Sequence, residues 1–218
     1  MVKEMGFFGW MQYRIKKLIS DSEGNFDCEL LMWNNRNIGD RQDNYYVYQT
    51  EDLHLAHKLT PNYKKFLDNA TRVYDYSQHN IIYYPRAIHL PLKFEKIEPK
   101  NNVTNNTILF YGYLSDRRKK IIDVLKKNGY IVNCFDGLFD VELGNKLKEY
   151  RYVLSIGTYD NITNDSFRII PAIEHGNIVI AERTQEEWFN QYLIDNCNNR
   201  VIFFDYDTII NDIKKIDK

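Results

Sequence analysis

The chain has 218 residues and a formal net charge of −1, with 29 Lys and Arg against 30 Asp and Glu. That length suits one large or two small domains, each with a real core, and the balanced charge gives no global field to draw the chain onto nucleic acid or an anionic membrane. No apolar run reaches the ~18 residues of a membrane span, and the mixed N-terminal stretch lacks the pattern of a signal peptide, so a cytoplasmic protein is expected. Cys28, Cys134 and Cys197 are scattered and odd in number, without Cys-x-x-Cys or Cys/His metal spacing; they read as reduced thiols.

Taken in order, Phe7, Trp10, Met11, Ile15, Leu18 and Ile19 recur near helical spacing with basic residues between them, which predicts an amphipathic helix over 6–20. A turn at Asp21–Asn25, a strand over 27–33, a polar loop over 34–44 and a second strand over 45–48 follow. Thr60-Pro61 is a helix start, Thr as cap and Pro in the first turn, for a helix to Asn69. Residues 71–75 read as a third strand, Ser77 as the cap of a further helix, and 86–91 as a fourth strand stopped by Pro91. Residues 95–106 are polar, contain Pro99 and lack periodicity, so they are expected to link a domain over 1–94 to one over 107–218.

The second half alternates regularly. Strands are expected over 107–111, 130–134, 152–156, 177–181 and 200–204, and helices over 116–128, 141–150, 166–174, 185–195 and 207–215. Ser115 and Ser166 are placed to cap their helices, and Gly129 and Gly176 to end them. Alternation at this pitch implies a doubly wound parallel sheet with right-handed crossovers. The fold class is therefore α/β, with two Rossmann-like domains, the first one small.

Chemistry is expected where strands end and helices begin, since ligands of open α/β sheets bind outside the carboxyl ends of the strands. Tyr111-Gly-Tyr-Leu-Ser-Asp-Arg-Arg118 joins a strand to a helix. Free N–H groups at a helix start suit a phosphate, Gly112 permits close approach, and Arg117 and Arg118 offer charge-assisted bonds. A helix that simply begins with Ser-Asp explains the same letters, and neither GxGxxG nor a P-loop is present. Arg168 and Glu174 are the charges on an otherwise apolar helix; ordinary surface charges are the plain alternative. In the first half Glu51, Asp52, His54, Asp75 and His79 are candidates for a general base, although each taken singly reads first as structural. The Tyr45-Tyr46 and Tyr83-Tyr84 pairs suit either stacking on sugars or bases or core packing.

Val47-Tyr-Gln-Thr-Glu-Asp52, Val73-Tyr-Asp-Tyr-Ser77 with Asn80-Ile81, Leu109-Phe-Tyr-Gly-Tyr-Leu-Ser-Asp-Arg-Arg118, Ser166-Phe-Arg168 with Glu174, and Val179-Ile-Ala-Glu182 occur in an order that resembles a family of small GT-B-type, family 1-like glycosyltransferases of bacteria and large DNA viruses. The resemblance covers about residues 45–183. Where that family usually has an Asn-Leu-Glu-Gln-like segment this chain has Gln49-Thr-Glu-Asp52, and where it has a Glu shortly before the Arg this chain has Asp165-Ser166. The resemblance implies transfer of a hexosyl or deoxyhexosyl group from a nucleotide-sugar donor to a glycan or other acceptor in an inter-domain cleft. It implies no cofactor and no metal, the leaving diphosphate being neutralised by helix dipoles and basic side chains. Gly112, Ser115, Arg117 and Arg168 are then expected at the donor diphosphate, and Glu174 at ribose or sugar hydroxyls. Glu51 is the first choice for acceptor-side base, with Asp75 and His79 behind it. The Asp-x-Asp letters at Asp205-Tyr-Asp207 read as a helix cap. Two rivals stand beside the enzyme: a non-catalytic nucleotide-sugar or glycan-binding module, and an interaction protein that keeps the fold without its chemistry. A flavodoxin-like signalling domain would need an acidic cluster at central strand ends, which Tyr111, Cys134 and Ile156 do not supply.

Overall fold

The computed structural model describes residues 7–24, 29–32, 44–55, 57–99, 102–104, 106–160 and 163–214. Residues 34–43 of the expected loop, Cys28, and the N-terminal residues before Phe7 lie outside the described residues. The chain divides into two compact units, Phe7–Leu92 and the part from Lys93 onward. Each unit carries one all-parallel sheet, as expected of two Rossmann-like domains.

In the first unit α1 (Phe7–Glu23) precedes β1 (Glu29–Met32), β2 (Tyr45–Gln49), α2 (Pro61–Asn69), β3 (Arg72–Asp75), a 3-10 helix (His79–Ile82) and β4 (Ile88–His89). The strands lie in the order β1-β2-β3-β4. The helix α1 runs through the turn expected at Asp21 and closes at Gly24, whose φ of 83° suits a residue without Cβ. Thr60 caps α2, its hydroxyl accepting from the Tyr63 amide at 3.2 Å, with Pro61 at the first helical position. Residues 45, 47 and 73 point into a core with Tyr63, Phe66 and Leu67 of α2, as the two-residue period of a strand requires. Of the first tyrosine pair, Tyr45 is buried and Tyr46 half-buried; Tyr45 and the buried Tyr48 donate to the carbonyls of Phe66 and Leu90, each at 2.7 Å. Of the second pair, Tyr84 is buried and Tyr83 is exposed.

The second unit contains β5 (Ile108–Tyr111), α3 (Asp116–Lys127), β6 (Val132–Phe135), α4 (Asp140–Lys148), β7 (Tyr152–Ser155), α5 (Ser166–Glu174), β8 (Ile178–Glu182), α6 (Glu187–Asn196), β9 (Val201–Phe204) and α7 (Ile209–Ile213). Strand order is β6-β5-β7-β8-β9. Even-numbered residues of β5, β7 and β8 pack with α3 and α7, and odd-numbered ones with α4, α5 and α6. Both faces are thus covered, which is why these strands are continuous apolar runs. Residues 93–94, expected at the end of the first domain, and 95–98, the start of the expected linker, belong to this unit. Phe94 stacks on Tyr192 at 5.3 Å and donates its amide to the Tyr192 hydroxyl at 2.9 Å, and Arg200 bonds the Glu98 carbonyl.

Candidate functional site

The chain leaves β5 in one direction for β6, and later returns to its other side as β7, so the sheet order reverses between β5 and β7. Outside the carboxyl ends of those two strands the α/β architecture leaves a crevice. Four groups from three segments meet there. Ser155 ends β7 and donates its hydroxyl to Asp165 Oδ2. The same oxygen receives Arg168 Nη1, and Arg168 Nε donates to the Tyr111 carbonyl at the end of β5, at 3.1 Å. The Tyr111 hydroxyl returns a bond to the Arg168 carbonyl at 2.9 Å, fixing the first turn of α5 against the strand. Burial is the main cause that holds this phenol well above its ordinary pKa. Arg168 is only 11% exposed in its side chain.

Gly112 follows directly. Its φ is 110°, and a Cβ built there would stand 3.0 Å from Arg168 Nη2. The glycine is needed both for its backbone angle and for the room it leaves beside the guanidinium. Its amide is used in the sheet, donating to the Phe135 carbonyl at 2.8 Å.

Ser115 caps α3 and its hydroxyl accepts from the Arg118 amide at 3.4 Å. Arg117 is committed elsewhere: it grips Glu182 with both terminal nitrogens, donates to Asp160 at 2.7 Å and to the Gly157 carbonyl at 3.2 Å, and lies 4.1 Å over the Tyr206 ring. Arg118 is buried and donates to the carbonyls of Ile156 and Tyr113, each at 2.8 Å. Burial, with repulsion from Arg168, pushes its pKa down to about 10, so it stays charged at neutral pH. These two arginines tie the loops after β5 and β7 together. Glu174 lies six residues beyond Arg168, about 9 Å further along the helix axis, and accepts the Glu95 amide at 2.8 Å. It is therefore not gathered with Arg168 and Gly112. Asp165 takes the N-cap place expected of Ser166 and spends its carboxylate on Ser155 and Arg168; Ser166 is the first helical residue, its buried hydroxyl without a hydrogen-bond partner among the described residues.

In the first unit, the candidate Glu51 follows β2, Asp75 ends β3 and His79 opens the 3-10 helix. Asp75 is fully buried and accepts from the Ser77 amide at 2.8 Å and from Asn80 Nδ2 at 3.0 Å. Asn80, also fully buried, donates to the Glu51 carbonyl at 2.8 Å and accepts the Leu53 amide at 2.9 Å. Gln49 completes the knot, accepting the Glu51 amide at 2.6 Å. A base must reach a substrate proton; the buried, bonded Asp75 instead joins two loops. The Glu51 carboxylate pairs with Lys58 at 2.5 Å, both side chains 24% exposed. His79 sits edge-on to His54 at 5.9 Å and to Tyr83 at 5.5 Å. Asp75→Ala is expected to destabilise this unit by about 1–3 kcal/mol, because it strands buried donors; a urea midpoint unchanged from the parent contradicts the knot.

Sequence reasoning missed Gln49, Asn80, Ser155, the bonding of Asp165, and Glu182 as the partner of Arg117. A signal existed for two of them: Ser155 is the polar end of a buried strand, and Asp165 stands at i,i+3 to Arg168. In the first unit a depression of about 310 Å³ at the start of β3 and β4 includes Arg72 and Arg86, which are paired with Glu23 and Asp68. Among the described residues no three His, Cys, Asp or Glu side chains gather to hold a metal ion, and no helix is long and apolar enough to cross a membrane.

No protein-family model matches the chain. It is similar to the uncharacterized protein R358 of Acanthamoeba polyphaga mimivirus, 27% identical over 180 residues, which is 80% of this chain and 63% of that protein. The chain thus spans less than two thirds of the length of this viral relative.

Proposed function

We propose that the protein is a glycosyltransferase whose second unit holds the diphosphate of a nucleotide-sugar donor, the anion facing Arg168 beside Gly112. The observation that carries the reading is the half-open guanidinium at the sheet's reversal point. Nε and Nη1 are anchored, while Nη2 has no hydrogen-bond partner among the described residues and faces the space left by a glycine. Oriented donors in a sheltered site stabilise the charge that develops on a leaving diphosphate. The ordered motifs of Val47–Asp52, Val73–Ser77, Leu109–Arg118 and Ser166–Arg168 support the same reading. Ser115 borders the crevice through its cap, and Arg117 and Glu182 brace its loops. Glu51 is the acceptor-side base in this proposal.

The test is a thermal-shift panel of UDP-, GDP-, dTDP- and CMP-sugars and their nucleotides, with and without Mg²⁺. A ligand at ~100 times its dissociation constant adds ~2.7 kcal/mol to stability. One nucleotide class is expected to shift the transition, and its sugar to be released or transferred with acceptor present. Binding without turnover would instead identify a nucleotide-sugar-binding module, and no shift at millimolar ligand would remove the donor site. For Glu51, Glu51→Gln is expected to cost 10²–10⁴-fold in turnover while leaving donor binding intact; full turnover in that variant removes it as the base.

A further inference from the structure

The crevice holds an anion of its own. Arg168 is not a bare cation waiting for a ligand: Asp165 Oδ2 occupies Nη1, and that same oxygen takes the Ser155 hydroxyl. Only Nη2 faces outward, toward the place a Cβ of residue 112 would fill. Leaving out the glycine and its chain neighbours, nothing but Arg168 lies within 4 Å of that place among the described residues, and Nη2 stands 3.0 Å from it, so the missing Cβ gives the guanidinium its room. Nη2, in the notch between Arg168 and Gly112, is the guanidinium donor left for a phosphate oxygen.

We infer that Asp165 is the counter-anion that sets how tightly the Arg168–Gly112 notch binds a phosphate oxygen, with Ser155 moderating its hold. The inference rests on the donor-site reading above and adds a residue that tunes it. The physical argument is competition. A phosphate oxygen entering the notch shares the guanidinium with a carboxylate of like charge, and the two anions repel across a sheltered site. The Ser155 hydroxyl draws part of the Asp165 charge toward β7 and so weakens its grip on Arg168. The arrangement lets product diphosphate leave, because the resident carboxylate takes back the charge that the departing anion gives up.

Asp165→Asn tests this directly. Asparagine keeps an acceptor oxygen for Ser155 and Arg168 but removes the competing charge. Titration calorimetry of the full chain with inorganic pyrophosphate is expected to show about tenfold tighter binding in Asp165→Asn than in the parent, the size of one removed like-charge contact in a partly screened site. Ser155→Ala should change affinity the other way, weakening it severalfold, and Gly112→Ala should abolish binding by filling the notch. Circular dichroism melts check that each variant is folded; the strained φ of 110° makes Gly112→Ala the one at risk, and the Asp165 and Ser155 variants decide the matter without it. Equal or weaker pyrophosphate binding by Asp165→Asn, with binding still lost in Arg168→Ala, overturns the counter-anion role and leaves the donor site standing. Binding that survives in Arg168→Ala, or is absent from the parent and every variant, overturns the donor-site reading and this inference together.

Discussion

Glu182→Ala is expected to lower the stability of the second unit by about 3–5 kcal/mol, the loss seen when one partner of a buried ion pair is removed. Glu182 ends β8 with its side chain 8% exposed, and its partner Arg117 in the first turn of α3 is 15% exposed. The carboxylate accepts Arg117 Nη1 at 2.7 Å, a second bond from Nη2, and the Gly157 amide at 2.9 Å. Its removal leaves a nearly buried guanidinium facing an empty place and an amide without its acceptor. Asp160 cannot take over, since it is 85% exposed and its contact is screened by water. The measurement is a guanidinium chloride midpoint followed by a signal confined to the second unit, such as hydrogen exchange of β5 and β8. Because the chain has two units, a global two-state fit is not assumed. In a double-mutant cycle, adding Arg117→Ala should recover part of the loss, because no unpaired charge then remains buried. A Glu182→Ala loss under 1 kcal/mol, or strict additivity, sinks the clasp.

The same pair shows which parts of this molecule are legible from letters. The alternation of apolar runs with helical patterns locates all five strands of the second unit, and the three central runs are covered on both faces by the clusters around Phe110 and Val153. Local chemistry is equally legible: Thr60 and Ser115 cap as their positions promise, and Gly129 and Gly176 take φ of 89° and 84° at helix ends. What is hidden is pairing across long sequence distance. Arg117 and Glu182 are 65 residues apart, and Tyr111 and Arg168 are 57 apart. Nothing local tells a phosphate-seeking arginine from a loop clasp. Arg117 and Arg168 look alike in sequence, yet one is gripped by Glu182 and braced by Asp160 while the other keeps a terminal nitrogen facing a glycine. Burial of Asp75 is hidden in the same way. Its neighbours Gln49 and Asn80 come from the ends of different elements, and only the packed loops bring them to one carboxylate.

Arg168→Ala is the variant on which the functional proposal turns, and turnover is expected to fall 10²–10³-fold, equivalent to about 2.7–4 kcal/mol of transition-state stabilisation. The loss should appear in the donor KM as well as in kcat. On that proposal Arg168 holds the diphosphate already in the ground state, and the charge on the leaving oxygen grows further as the sugar–phosphate bond breaks, which is when a fixed guanidinium counts most. Arg168→Lys should recover little. A lysine carries one compact charge and cannot at once meet the Tyr111 carbonyl, Asp165 and the notch beside Gly112, as the forked guanidinium does. The substitution also removes two intramolecular bonds from a side chain 11% exposed, so a melt must accompany the kinetics. Loss of turnover in a protein whose melting point moves by only a few degrees assigns the effect to chemistry. An unfolded Arg168→Ala leaves Arg168→Lys, which keeps the charge and most of the volume, to decide the matter. Release of free nucleotide at the parent rate by either folded variant removes Arg168 from the reaction, and with it the half-open guanidinium on which the donor site was argued.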